Sequence, residues 1–154
     1  MSIEARLQEL GIELPHVTTP AANYVPYTIT GKTVIVSGQL PMRDGKPQFI
    51  GQVADAYTVE EGQQCARLCA LNVLAHLRHA CGGSLDSVKR VLRLGVFVNA
   101  PASFTEQPKV ANGASDLMVE IFGAQTGAHA RAAVGVAGLP FGVAVEVEGL
   151  FEIA

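Results

Sequence analysis

Charge is scarce in this sequence. Only 16% of its 154 residues are Asp, Glu, Lys or Arg, and the mean hydropathy is +0.28. A surface so short of charge is the kind that a partner covers. A basic run is missing as well: 11 Lys and Arg stand against 14 Asp and Glu, a net charge of -3, and only Lys89, Arg90 and Arg93 cluster. A phosphate backbone finds no general attraction here, so nucleic acid is not an expected partner. Paired cysteines are lacking too. Cys65, Cys69 and Cys81 are odd in number and fall in one helical stretch, which argues against a disulfide framework and for a reduced, cytoplasmic setting. Cys65 and Cys69, with His76 and His79 nearby, have the spacing of two metal ligands. Small core thiols and surface histidines on one helix explain the same residues more simply, so no metal is expected. No apolar run reaches the ~20 residues of a membrane span, and Met-Ser-Ile-Glu-Ala-Arg-Leu brings acid and base too early for a secretory segment.

What the chain does have is a legible closing hairpin. In His129–Pro140 alternation puts Ala132, Val134 and Val136 on one face, with Arg131, Ala133, Gly135 and Ala137 on the other. Arg131 therefore heads a lane of very small residues. In the following strand Val143, Val145, Val147, Phe151 and Ile153 share one face, and Glu146, Glu148, Leu150 and Glu152 the opposite one. A guanidinium beside a small-residue lane, with a carboxylate on a nearby strand, suits a small anionic ligand.

Upstream, Ile3, Leu7 and Leu10 after a Ser2 cap mark a short helix, ended by Gly11 and Pro15. Pro15, Pro20 and Pro26 punctuate an extended passage. Asn23–Ile29 and Thr33–Gly38 flank a Gly31-Lys32 turn and predict a hairpin, followed by a loop around Asp44-Gly45. Thr58-Val-Glu-Glu61 is a capping box opening a helix whose apolar face runs through Cys65, Leu68, Cys69, Asn72, Ala75 and Leu77, flanked by His76, with Gly82-Gly83 as its stop. Val88–Val98 predicts a long strand, with Leu92, Leu94, Val96 and Val98 against Val91, Arg93, Gly95 and Phe97. A second helix is expected from Phe104 to Gly123, with Gly113 a weak spot. The order β-β-α-β-α-β-β indicates an α/β fold, one mixed sheet with two helices on one face. Residues 1–22 read as an accessory helix and lead-in to one domain over 23–154. The uncovered face is expected to carry Arg131, Ala133, Gly135, Glu146, Glu148, Leu150 and Glu152.

Ser37-Gly38-Gln39-Leu40-Pro41, Arg131 with Val134 and Val136 ahead of Leu139-Pro140, and Val145-Glu146-Val147-Glu148 together resemble the RidA family, also called the YjgF or reactive-intermediate (imine) deaminase family. The resemblance spans residues 23 to 154. The longer N-terminus, Val110–Leu117 and Asn23–Tyr27 point to a less characterised branch that carries the endoribonuclease name. The resemblance implies a chorismate-mutase-like fold and a homotrimer whose sheets form a central barrel with ligand clefts between subunits, and no cofactor. It implies that Arg131 binds a substrate carboxylate, that Glu146 holds or activates water, and that Tyr27, Ser37, Gly38 and Asn112 line the pocket. Ala133 stands where the deaminases often have Cys, and Thr28-Ile29 where they often have Ser-Gln.

Hydrolysis of a small 2-imino or enamino acid to keto acid and ammonia follows as the leading expectation, with Arg131 fixing the carboxylate and Glu146 relaying a proton. A non-catalytic trimer that binds a small carboxylate keeps Arg131 and needs no turnover. An endoribonuclease is disfavoured, because no His-His or His-Lys pair suited to phosphodiester cleavage is evident. For Arg131 the structural alternative is an ion pair with Glu146 or Glu148 across an interface.

Overall fold

The computed structural model describes residues 1–17 and 23–154, so Pro20 and the end of the lead-in lie outside the described residues. Ser2 caps helix α1, Ile3–Glu9, by accepting from the Ala5 amide. Leu7 is buried in the main core, and the Ile3 and Glu4 amides donate to Asp86 Oδ1 at 2.8 and 3.1 Å, which anchors the helix start.

The β-branched run forms β2, Thr33–Gln39, which pairs back on β1, Tyr27–Thr30, across the Gly31-Lys32 turn. The Asp44-Gly45 loop is a two-stranded ribbon of β3, Met42–Arg43, and β4, Lys46–Pro47. Helix α2, Val59–Ala80, opens on the Thr58–Glu61 capping box with both reciprocal bonds made. Strand β5, Val88–Asn99, leads to α3, Gln107–Gly127, and then to β6, Ala130–Val136, and β7, Val145–Ile153. Gly123, at φ 84°, interrupts α3 where the sequence pattern stops, and a last turn continues to Gly127.

The main sheet has the order β1-β2-β7-β5-β6. Among the described strands of this sheet only β5 and β6 pair in parallel, as the intervening α3 crossover requires. Helices α2 and α3 both pack on one face, burying Val34, Val36, Leu94, Val96, Val98, Val145, Val147 and Phe151 against Cys69, Val73, Leu77, Leu117 and Met118. The α/β layering expected from the order of elements, one mixed sheet with two helices on one face, is therefore present.

Three expectations need correction. Residues in register across a sheet share a face. Arg131 is opposite Leu94 and Ala133 opposite Val96 on β5, and both β5 residues are buried beneath the helices. Arg131, Ala133 and Gly135 therefore lie on the helix-covered face, whereas Glu146 and Glu148, opposite Phe97 and Gly95, lie on the bare face. The two sides of β6 are so similar in size that alternation alone could not say which was inward. Second, Val91 and Leu92 exchange sides. A bulge between Val91 and Arg93 leaves Val91 fully buried beside Phe151 and Leu92 exposed. Third, His76 is not a surface histidine: it is buried on α2, its Nδ1 has no partner among the described residues, and burial is the main cause that lowers its pKa.

Gly113 is not a weak spot but a crossing point. A Cβ there would lie 2.0 Å from the Gln63 carbonyl oxygen of α2. The two helices touch backbone to backbone at this level, and Gln63 Nε2 donates to the Lys109 carbonyl at 2.8 Å.

Candidate functional site

The sequence candidates fall into two groups on opposite faces of the sheet. The first group surrounds Arg131, at the sheet edge formed by β6. Pro108, Asn112 and Ser115 follow one another along α3 at spacings of four and three, which stacks them on one side of the helix. That side faces Arg131. Its Nη1 donates to Asn112 Oδ1 at 2.8 Å and to Ser115 Oγ at 3.1 Å, and Nη2 makes a longer contact, 3.4 Å, to the Pro108 carbonyl. All three acceptors are neutral. Among the described residues no carboxylate lies within 4 Å of Arg131, so the structural ion pair with Glu146 or Glu148 is not made within the chain.

A guanidinium has five N–H donors. Three are engaged here, and among the described residues Nε and one Nη2 proton have no partner. These two can lie side by side on one edge of the plane, the arrangement that grips both oxygens of a carboxylate. Ala133 and Gly135 continue the same face as a lane of small side chains, and Gln107 reaches towards Gly135 from α3.

The second group is on the bare face, around Glu146 of β7. A bulge in β2 between Val36 and Gln39 sets Ser37 and Gly38 against the acidic strand. A Cβ on Gly38 would lie 2.9 Å from the Glu146 carboxyl carbon, so glycine makes the slot that this carboxylate occupies. Burial, and then the nearby Glu148, push the Glu146 pKa up. Among the described residues neither acid has a hydrogen-bond or ionic partner.

Ser37 spends its hydroxyl on the Val25 carbonyl at 2.7 Å and its amide on that of Pro26, fixing the segment before β1. This creates an open concavity of about 540 Å³ lined by Asn23, Tyr24, Val25, Thr28, Ile35 and Ser37. Tyr27 is not in it. It is opposite Val36, on the helix side, and its hydroxyl lies 2.8 Å from His79 Nδ1. Tyr24, half exposed, is the tyrosine on the Ser37 side. The Pro-Tyr pair drew attention to Tyr27, whereas Tyr24 lies ahead of β1 and is placed by the bonds from Ser37 to Val25 and Pro26. A separate cleft of about 520 Å³, between residues 12–17 and the end of α2, is lined by His79 but by none of the residues that the family resemblance points to.

The structure thus brings Arg131, Asn112 and Ala133 together, and Glu146, Ser37 and Gly38 together, but not the two sets with each other. Ser115 and His129 escaped the sequence reading. Both had a signal: Ser115 follows Asn112 by three on a helix, and His129, one residue ahead of β6, precedes Arg131 by two in a stretch whose sequence alternates as a strand, which assigns each to the same side as a named candidate.

Residues 4–150 match the family model described as "YjgF/chorismate_mutase-like, putative endoribonuclease". The chain belongs to this family. Among YjgF/chorismate mutase-like relatives and solved structures, Protein TCP17 of Trypanosoma cruzi is 54% identical over 151 residues, 98% of this chain and 94% of that one. Atu1372 of Agrobacterium tumefaciens, a protein described as of unknown function, is 47% identical, with a TM-score of 0.90 over 99% of this chain and 92% of that one. A Shewanella oneidensis MR-1 protein described as a "putative endoribonuclease" is 39% identical, with a TM-score of 0.94 over 99% and 100% of the two chains. Both of these structures cover α1 as well as the sheet. No helix among the described residues is long and apolar enough to cross a membrane.

Proposed function

We propose that this protein hydrolyses small 2-imino or enamino acids to the keto acid and ammonia, in a pocket completed between two copies of the chain. The observation that carries the reading is the Arg131 guanidinium, held by neutral acceptors with a carboxylate-binding edge left over. A substrate carboxylate on that edge fixes C2 of a protonated imine, which is already electrophilic, so positioning is the main demand. Glu146 takes a proton from water as the oxygen attacks C2. It then returns that proton to the nitrogen, and the C–N bond breaks as the new hydroxyl gives up its proton to Glu146 and the keto C=O forms, releasing ammonia. A carboxyl whose pKa is raised by burial suits a group that must both accept and give back a proton near neutral pH.

Arg131 and Glu146 occupy opposite faces of one sheet, so a pocket using both needs the clamp of one chain and the acid of another. The exposed Ile35 and Val134 on the bare face, and the free edge of β6, favour such an assembly. A homotrimer is expected in solution. Light scattering that gives a monomer at the assay concentration removes the shared pocket.

The test uses an amino-acid oxidase that releases an imino acid, with its disappearance followed against buffer. Wild type is expected to accelerate the loss, and Glu146→Gln to cut the rate at least ~100-fold while keto-acid binding is retained. The wild-type rate should also fall as acid protonates Glu146, because the neutral carboxyl cannot accept the water proton; the raised pKa puts that fall at a higher pH than for an ordinary glutamate. Wild type indistinguishable from buffer defeats the deaminase.

A second reading has its own support. The Arg131 clamp is complete on its own face without any acid, as a carboxylate-binding protein without turnover requires. Calorimetric binding of pyruvate with no imine hydrolysis selects it. RNA cleavage has less support, because the net charge is -3 and among the described residues no His-His or His-Lys pair suited to phosphodiester cleavage is brought together at either group.

A further inference from the structure

Beyond Arg131 the hydrogen bonds continue inward. Ser115 Oγ, which accepts from Arg131 Nη1 at 3.1 Å, also lies 2.9 Å from His129 Nε2, and His129 Nδ1 lies 2.7 Å from the Gly127 carbonyl. The polarity of this chain is forced at both ends. A guanidinium can only donate and a carbonyl can only accept. In the neutral imidazole His129 therefore carries its proton on Nδ1 and presents a lone pair at Nε2, and the single hydroxyl proton of Ser115 goes to that lone pair. The lone pairs of Ser115 are left facing Arg131. Helix α3 and strand β6 are tied together at this point, with Ser115 and His129 both half-buried.

We propose that Ser115 and His129 are positioning residues of the Arg131 clamp: His129 orients the Ser115 hydroxyl, and Ser115 fixes Nη1 so that the Nε–Nη2 edge faces the carboxylate. The inference rests on the reading of Arg131 as a carboxylate clamp and adds the two residues that aim it. Without the Ser115 acceptor, Nη1 keeps only Asn112, and with the long Nη2 contact to the Pro108 carbonyl as the one other anchor the guanidinium plane is held less firmly. Without the His129 lone pair, the Ser115 hydroxyl is free to rotate, and its lone pairs no longer hold one fixed direction towards Arg131. Neither residue needs to touch the ligand. A carboxylate that draws on the guanidinium also changes how strongly Nη1 donates to Ser115, and so the Ser115–His129 bond, because linked hydrogen bonds polarise one another.

The experiment is a pyruvate titration of the full-length protein, read by calorimetry and by the imidazole 15N resonances of His129. Wild type is expected to show the Nδ1–H tautomer and a ligand-dependent movement of the Nε2 resonance. Ser115→Ala should bind roughly tenfold more weakly, as for loss of one hydrogen bond to a charged group, and the Nε2 resonance should no longer follow the ligand. Ser115→Thr, which keeps the hydroxyl, should restore both. If Ser115→Ala does not fold, His129→Phe provides the same affinity test. Wild-type affinity in Ser115→Ala or His129→Phe, or an Nε2 shift that persists without Ser115, overturns the positioning role while leaving the clamp intact. Pyruvate binding that is absent from wild type, or undiminished in Arg131→Ala, overturns the clamp itself and the inference with it.

Discussion

Arg131→Ala is expected to weaken pyruvate binding by roughly two orders of magnitude or more, and to abolish measurable imine hydrolysis. Each charge-assisted hydrogen bond contributes about 1.5 to 3 kcal/mol, and the proposed grip uses two of them through the free Nε and Nη2 protons. At about 1.4 kcal/mol per decade the loss exceeds ~100-fold. Lysine should not rescue it. Its ammonium is a point charge that cannot hold Asn112, Ser115 and a carboxylate in one plane, so Arg131→Lys should remain far nearer to alanine than to wild type. The thermal midpoint should move little, because Asn112 and Ser115 are both half-buried and water can replace the guanidinium. Calorimetry and a melting curve on the same sample separate the two effects. Equal affinity for wild type and Arg131→Ala removes the clamp.

Gly113→Ala is expected to destabilise the protein by about 3 kcal/mol or more, lowering the melting temperature by roughly 6 to 12 °C. Intrinsic helix propensity predicts the opposite, since alanine is favoured over glycine by about 1 kcal/mol inside a helix. The crossing of α2 and α3 decides the sign. A methyl group at this position would sit 2.0 Å from the Gln63 carbonyl oxygen and 2.7 Å from its carbon. These are backbone atoms of a capped helix and cannot turn aside as a side chain would. The helices must part instead, loosening the contacts of Ala66, Val110, Ala114 and Leu117, all fully buried. Differential scanning calorimetry reads the result directly. An unchanged or raised melting temperature shows that the helices can separate at little cost.

The two glycine contacts also show where sequence reading stops. Gly113 looks like a defect in a helix, and Gly38 like part of a strand end. Their purpose lies in what approaches them from distant parts of the chain: the α2 backbone in one case and the Glu146 carboxyl in the other. Ser115 and His129 stayed unnoticed for a related reason. They are 14 residues apart and of unremarkable type, and only the packing of α3 on β6 puts their polar atoms 2.9 Å apart.

By itself the sequence determined the elements whose signals are local and strong. The capping box opens α2 where Thr58 and Glu61 stand, the β-branched run makes β2, and β7 turns its valines and Phe151 inward because that face is far more apolar than the glutamate face. It also carried the motifs that resemble the YjgF family, and with them the fold. Which way Arg131 points was decided only by tertiary structure. Ala132, Val134 and Val136 differ too little from Ala133, Gly135 and Ala137 for hydrophobicity to choose a face of β6. The choice rests on register with β5, where Leu94 pairs with Arg131, and on the α3 acceptors that hold the guanidinium. Alternation fixes which side chains of one strand share a face; only pairing fixes which faces of two strands coincide.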